Sequence, residues 1–147
     1  ALLARFETLS KSDSFSISDS AFLIMQLLSL LPHQEVVRGH NTFSASVIRW
    51  IESHFHQRCS LEEIAREMGC SRGHTSRRFH SETGGTIQEY LMMRRIRQAC
   101  DLLLHTPLSV REIAERVGFP EYAWFITCFR KNMGKTPLQY RKAYAPV

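Results

Sequence analysis

Apolar residues recur along this chain at helical spacing, in short blocks separated by glycine, proline or serine. No stretch alternates apolar and polar residues as a half-buried strand would, so the pattern predicts an all-α protein. A serine-rich loop (KSDSFSISDS) precedes AFLIMQLLSLL, a segment apolar nearly all round, with Asp19 or Ser20 as cap and Pro32 as stop. Such a helix either lies buried against a domain the chain does not contain or serves as a dimerisation surface through residues 20–31. HQEVVRGHNTF reads as a linker. From Ser44 the helices follow closely. SASVIRWIESHFHQ places Val47, Ile48, Ile51 and Phe55 on one face. SLEEIAREMG opens with a capping box, Ser60 to Glu63, and closes on Gly69. SRGHTSRRFHSETG comes next and ends at Gly84-Gly85. TIQEYLMMRRIRQACDLLLHT predicts a helix of about nineteen residues, roughly 28 Å long, stopped by Pro107. SVREIAERVG, a helix from Pro120 to Met133, and PLQYRKAY complete the series.

These blocks contain an internal repeat. Ser60, Ile64, Ala65 and Gly69 recur as Ser109, Ile113, Ala114 and Gly118, an offset of 49. Beyond the glycine the offset is 50: Phe79 recurs as Phe129, Gly84 as Gly134, Thr86 as Thr136 and Tyr90 as Tyr140. One residue is inserted in the second turn. Each copy reads as short helix, glycine turn, second helix, the pattern of a helix-turn-helix unit in which Ala65 or Ala114 lets the helices approach. A helix of about 28 Å between the units would hold their second helices roughly 34 Å apart, one turn of DNA. The expected organisation is a short helix and linker over residues 1–43, the tail of an absent effector or dimerisation domain, followed by a tandem helix-turn-helix domain over 44–147.

Charge sharpens this picture. The net charge of the 147 residues is +5, but residues 1–40 contribute −1 and residues 41–147 contribute +6. A basic C-terminal region favours a polyanionic partner, nucleic acid before membrane. The longest apolar run, Ala21 to Leu31, is shorter than the ~20 residues a membrane span needs. Cys59, Cys70, Cys100 and Cys128 form no C-x-x-C pair, so zinc ribbons and redox motifs gain no support, and the thiols read as reduced packing residues of a cytoplasmic protein.

Side-chain spacing nominates the contacts. In the first unit Thr75 and Phe79 point inward, and the opposite face carries Gly73, Ser76, Arg77 and His80. Arg77 is the expected base reader, because its planar fork can donate twice to guanine. Arg78 and His80 are expected on phosphates. In the second unit the equivalent face is Ala123, Ile126, Thr127 and Arg130. Ala123 and Ile126 could touch only thymine methyls, and Thr127 could make one hydrogen bond. The first unit is therefore expected to carry most direct readout, the second to hold phosphates through Arg130, Lys131 and Lys135, with Tyr122 reaching a phosphate or base. Ile126 is alternatively buried if the inserted residue rotates the helix. Trp124, Phe125 and Phe129 read either as a base-stacking set or as core, and the core is the expectation, because Phe125 and Phe129 match core positions of the first unit.

S-x-x-x-I-A-x-x-x-G-F at Ser109–Phe119, the Phe125/Phe129 pair, G-x-T-P at Gly134–Pro137 and Tyr140-Arg141 resemble the AraC/XylS transcription regulators over about residues 44–144. The resemblance implies a seven-helix domain with two helix-turn-helix units joined by a long helix. It also implies binding to promoter DNA near the nucleoid, usually as an activator that touches RNA polymerase. It places base contacts at Gly73, Ser76 and Arg77. Gly73 departs from the bulky residue often found there, which passes part of the reading to Arg72 or His74. Arg95 matches an arginine that recurs in the family, and either contacts a phosphate or braces the two units through an internal ion pair.

Other chemistries find little footing. His54 and His56 diverge around a helix, no phosphate loop or nucleophile elbow is present, and nothing calls for a cofactor or metal. A related domain occurs beside a reactive cysteine in DNA alkyl-transfer repair proteins, but the four isolated thiols do not supply such a cluster.

Overall fold

The structure is a computed structural model and describes residues 42–145; the apolar segment at 20–31 and the linker up to residue 41 lie outside them, while Thr42 and Phe43, expected at the linker's end, cap and begin the first helix instead. The described residues form seven helices and no strand: α1 (Phe43–His54), α2 (Leu61–Glu67), α3 (Arg72–Thr83), α4 (Ile87–His105), α5 (Val110–Arg116), α6 (Tyr122–Met133) and α7 (Pro137–Tyr144). None is long and apolar enough to cross a membrane.

The repeat is written into the helix starts. Ser60 with Glu63, Thr86 with Glu89, Ser109 with Glu112 and Thr136 with Gln139 each form a reciprocal capping box, satisfying amides that a helix N-terminus leaves without partners. Gly69 (φ 65°) and Gly118 (φ 86°) turn each chain from the first helix of a unit to the second in the left-handed conformation that glycine adopts freely. The inserted residue is where the offset places it. Four residues separate α2 from α3, and five separate α5 from α6. Consequently α6 starts at Tyr122, two residues after Pro120, and its N-cap, Glu121, makes no side-chain capping bond, whereas Ser71 caps α3.

Two cores result. In the first unit Val47, Ile51, Ile64, Phe79, Ile87 and Leu91 close together beneath α3. In the second, Ile113, Val117, Phe119, Phe125, Phe129, Met133 and Tyr140 pack against Ile96, Ala99 and Leu103 of α4. Ala65 and Ala114 are buried at the helix crossings. The inward pair of α3 is Thr75 and Phe79; that of α6 is Phe125 and Phe129, all fully buried. Thr75 satisfies its hydroxyl by donating to the Ser71 carbonyl at 2.9 Å.

Helix α4 serves both units, and arginines fasten it. Arg95 of α4 donates through Nε to the Phe55 carbonyl (2.8 Å) and through Nη2 to the Gln57 carbonyl (2.8 Å), where α1 ends. Arg141 of α7 does the same for the end of α4, donating to the carbonyls of Leu103 (3.0 Å) and Leu108. Both supply charge-assisted donors to carbonyls that a helix C-terminus leaves without intrahelical partners. Glu52 of α1 adds a further tie: it accepts from the Tyr90 hydroxyl (3.1 Å) and from Arg94 Nε (2.7 Å).

Candidate nucleic-acid interface

Helix α3 is a helix only by virtue of its setting. Of its twelve residues just Thr75 and Phe79 are buried, and its first turn holds no acidic side chain. Cations near a helix N-terminus oppose the macrodipole. Arg72 nevertheless stands in its first turn, with Arg77 and Arg78 at mid-helix, and each is exposed.

They are not alike. Arg72 forms an ion pair with Glu62 of α2 at 2.7 Å, both partners being well exposed, so the pair is weak and easily exchanged for a phosphate. Arg78 turns toward α1: Nε bonds Glu82 at 3.2 Å, and the guanidinium lies 4.7 Å from the centre of the Phe43 ring. Glu82 in turn accepts from the Ser44 amide at 2.8 Å, and hydrogen bonding from the Ser44 hydroxyl and amide, with the arginine beside it, holds its carboxyl below the usual carboxylate range. Arg77 has no carboxylate partner among the described residues. Its guanidinium lies over Gly73, where an added Cβ would come within 3.3 Å of Nη1. The glycine thus leaves room for the arginine, and the two positions work as one.

His74 leans against Phe43 in an edge-on contact (6.3 Å), and His80 Nδ1 lies 3.3 Å from the Gly85 carbonyl. Ser76 is half-buried on the same face as Arg77.

Helix α6 presents a different surface. Tyr122, Ala123, Thr127, Arg130 and Lys131 are exposed. The Tyr122 ring carries the Arg111 guanidinium 4.8 Å above it, and the Thr127 hydroxyl donates back to the Ala123 carbonyl at 3.1 Å. Its cations fall in the last turn, where they complement the dipole. Lys135, just beyond, donates to the Tyr144 hydroxyl at 3.3 Å.

Similarity to known proteins agrees with this geometry. A family model described as a helix-turn-helix domain matches residues 64–143. The HTH-type transcriptional activator RhaS of Klebsiella pneumoniae (strain 342) is 32% identical over 145 residues, 96% of this chain and 52% of that protein. Among solved structures, the C-terminal domain of AraT, a response regulator from Geobacillus stearothermophilus, is 34% identical with a TM-score of 0.70, over 75% of this chain and 91% of that one. The DNA-binding domain of AdpA, a global transcriptional factor solved in complex with a target DNA, is 35% identical with a TM-score of 0.67, over 71% and 94%. The chain belongs to the AraC/XylS family of transcription regulators. It comprises that family's C-terminal DNA-binding domain and spans about half the length of the curated relatives it matches.

Three expectations change. Arg95, the arginine that recurs in the AraC/XylS family, is 6% exposed, and two of its nitrogens bond main-chain carbonyls; it braces the fold and is not a DNA contact. Ile126 does not stand free on the outer face: it is half-buried and packs against the second core. Trp124 is not a core residue. It is 41% exposed and meets Phe119 edge-on at 5.1 Å, because it lies one position, about 100° of helix rotation, off the inward Phe125/Phe129 stripe. Gly73, His74, Ser76, Arg77, His80, Tyr122, Ala123, Thr127, Arg130 and Lys131 remain available at the surface in whole or in part.

Burial pushes Cys59 and Cys128 up and raises Cys100 to about 12, so at neutral pH these are thiols rather than nucleophilic thiolates. No cluster of three metal-ligating side chains occurs among the described residues.

Proposed function

We propose that this domain binds promoter DNA through two successive major grooves, with α3 reading bases and α6 chiefly gripping the backbone. The carrying observation is the cationic, acid-free start of α3, with Arg77 exposed and without an acidic partner on a helix-turn-helix frame. The N-terminal residues of a recognition helix are those that meet base edges. Arg72 opens that helix and Arg77 stands exposed one turn further on, where a base edge or phosphate can meet it. The likeness to the AdpA domain, solved on a target DNA, and to the activator RhaS supports the same reading. Arg77, with room made by Gly73, donates to a guanine. Ser76, Arg72 and His74 border it, and Arg78 and His80 lie toward the phosphates. On α6, Tyr122, Ala123 and Thr127 meet the groove, while Arg130, Lys131 and Lys135 hold phosphates.

In the longer protein the domain acts as a transcription activator within the nucleoid and touches RNA polymerase, with residues 20–31 pairing two copies. Titrating a selected duplex and a shuffled one at rising salt tests the DNA reading. Binding should favour the selected duplex and fall steeply and linearly with log salt, as released counterions require. Equal, salt-insensitive binding of both would sink it.

A further inference from the structure

The glycines of the two turns occupy the same place in the repeat but not the same surroundings. A Cβ added to Gly69 would meet nothing within 4 Å. One added to Gly118 would lie 2.7 Å from the Phe55 carbonyl oxygen and 2.9 Å from the carbonyl carbon and oxygen of His56. Those atoms are backbone and cannot swing aside. The turn of the second unit is therefore seated directly on the corner that ends α1 of the first. The same corner is held from beneath by Arg95, whose two bonds go to Phe55 and Gln57 and whose guanidinium lies 5.9 Å from the Phe119 ring, next to Gly118. Pro120 and Trp124 face Arg58 and Ser60 across an adjoining cleft.

We propose that this joint is a spacing determinant: Gly118 and Arg95 are positioning residues that lock α3 and α6 into one relative placement, so that the domain accepts DNA elements at one separation only. Helix α4 alone joins the units along a single line and leaves rotation about that line to the side-chain packing at its two ends. The seat of Gly118 on Phe55–His56 adds a second strut away from that line, and Arg95 ties the strut to α4. Two modules held rigidly gain avidity only where the spacing of the sites matches their own.

The inference rests on the DNA reading above, and its test separates the two. Gly118→Ala and Gly69→Ala both force an alanine into the left-handed region, but only Gly118→Ala drives a side chain into the α1 corner. Each variant is titrated against duplexes carrying both elements with the spacer changed by one to five base pairs, and against a duplex carrying the first element alone. The unsubstituted chain should prefer its own spacing by roughly tenfold over a half-turn shift, the modest preference that a second element held mainly through phosphates allows. Gly118→Ala should flatten that profile to within about threefold while binding the single element unchanged, and Gly69→Ala should keep it. Arg95→Lys, which retains the charge but loses the forked donation, should flatten it as well and covers the case in which Gly118→Ala does not fold. Retention of the full profile by folded Gly118→Ala and Arg95→Lys, or equal flattening by Gly69→Ala, overturns the proposal. A second readout needs no DNA: the distance between labels at the exposed, repeat-equivalent Glu67 and Arg116 should be narrow in the unsubstituted chain and broad or displaced in Gly118→Ala. If no duplex binds, the functional reading falls and this distance alone decides whether the joint holds the units.

Discussion

Helices α3 and α6 are repeat-equivalent, twelve residues each, and both are basic, yet they distribute their charge differently. On α3 Arg72 stands in the first turn, where it opposes the helix dipole, and Arg77 and Arg78 stand at mid-helix; on α6 Arg130 and Lys131 sit in the last turn, where they favour it. Burial compensates in the reverse sense. Beneath α6 lie Phe119, Phe125, Phe129 and Tyr140 in successive ring contacts of 5.0 to 5.7 Å, while α3 buries only Thr75 and Phe79. A helix that is well buried and charged where charge helps it is built as an anchor. One that is poorly buried, with a cation opening its first turn and two more exposed on its middle, keeps those cations for a ligand, and a local rule broken in this way is what a functional surface produces.

The largest effect should come from the core of the anchor. Phe125→Ala removes a fully buried ring and should cost about 3–5 kcal/mol in chemical denaturation. Thr75→Ala, the same position in the first unit, should cost about 1 kcal/mol, since it loses one local hydrogen bond and little volume. Equal costs would mean that the two helices are held alike.

Next is the reader. Arg77→Ala should cost roughly 1–3 kcal/mol on the preferred duplex and relax preference at one base position. Arg130→Ala should weaken all duplexes by a common factor and lower the salt slope by about 1. Uniform weakening by Arg77→Ala would remove the asymmetry at its root.

Ile126→Ala should lower stability by about 1 kcal/mol, as half-burial against the second core implies, and leave base preference unaltered. A changed preference would return Ile126 to the DNA surface.

The smallest effect concerns acid. Glu63, Glu89 and Glu112 accept from Ser60, Thr86 and Ser109 in their capping boxes, and those bonds hold each carboxyl below its ordinary 4.5. Their folded values being depressed, they contribute stability above the unfolded value, and that contribution is lost as pH falls below it through the folded one. Helix α7 uses Gln139 at the same place and does not titrate. Glu112→Gln should therefore flatten the acid limb of stability, read by thermal melting between pH 5 and about 3. An unchanged limb would show that this box adds nothing in acid.

Much of this was legible in the residues. The repeat, the single insertion, the nineteen-residue connecting helix and the inward Thr75/Phe79 and Phe125/Phe129 pairs all follow from apolar spacing and turn glycines, which depend on local geometry. What could not be read depends on contacts between distant segments. Arg95 looks like any cation on a basic helix until the Phe55 and Gln57 carbonyls are brought to it from 38 to 40 residues away. Gly118 and Gly69 are indistinguishable along the chain, and only the corner of α1 sets them apart. Ile126 and Trp124 have the same burial as their repeat counterparts Ser76 and His74, so the inserted residue leaves the rotation of α6 unchanged and the repeat itself carried the signal. The partnership of Gly73 with Arg77 carried a signal, four residues apart on one face, but spacing alone does not say that the arginine folds back over the glycine.

Selecting a random duplex library with this chain at moderate salt, and sequencing what is retained, tests the division of labour most directly. The account predicts two enriched elements about one helical turn apart, the first sharply defined and containing a guanine whose preference disappears in Arg77→Ala, the second diffuse. Two equally sharp elements, or a sharp second element that survives while the first is blurred, would contradict it.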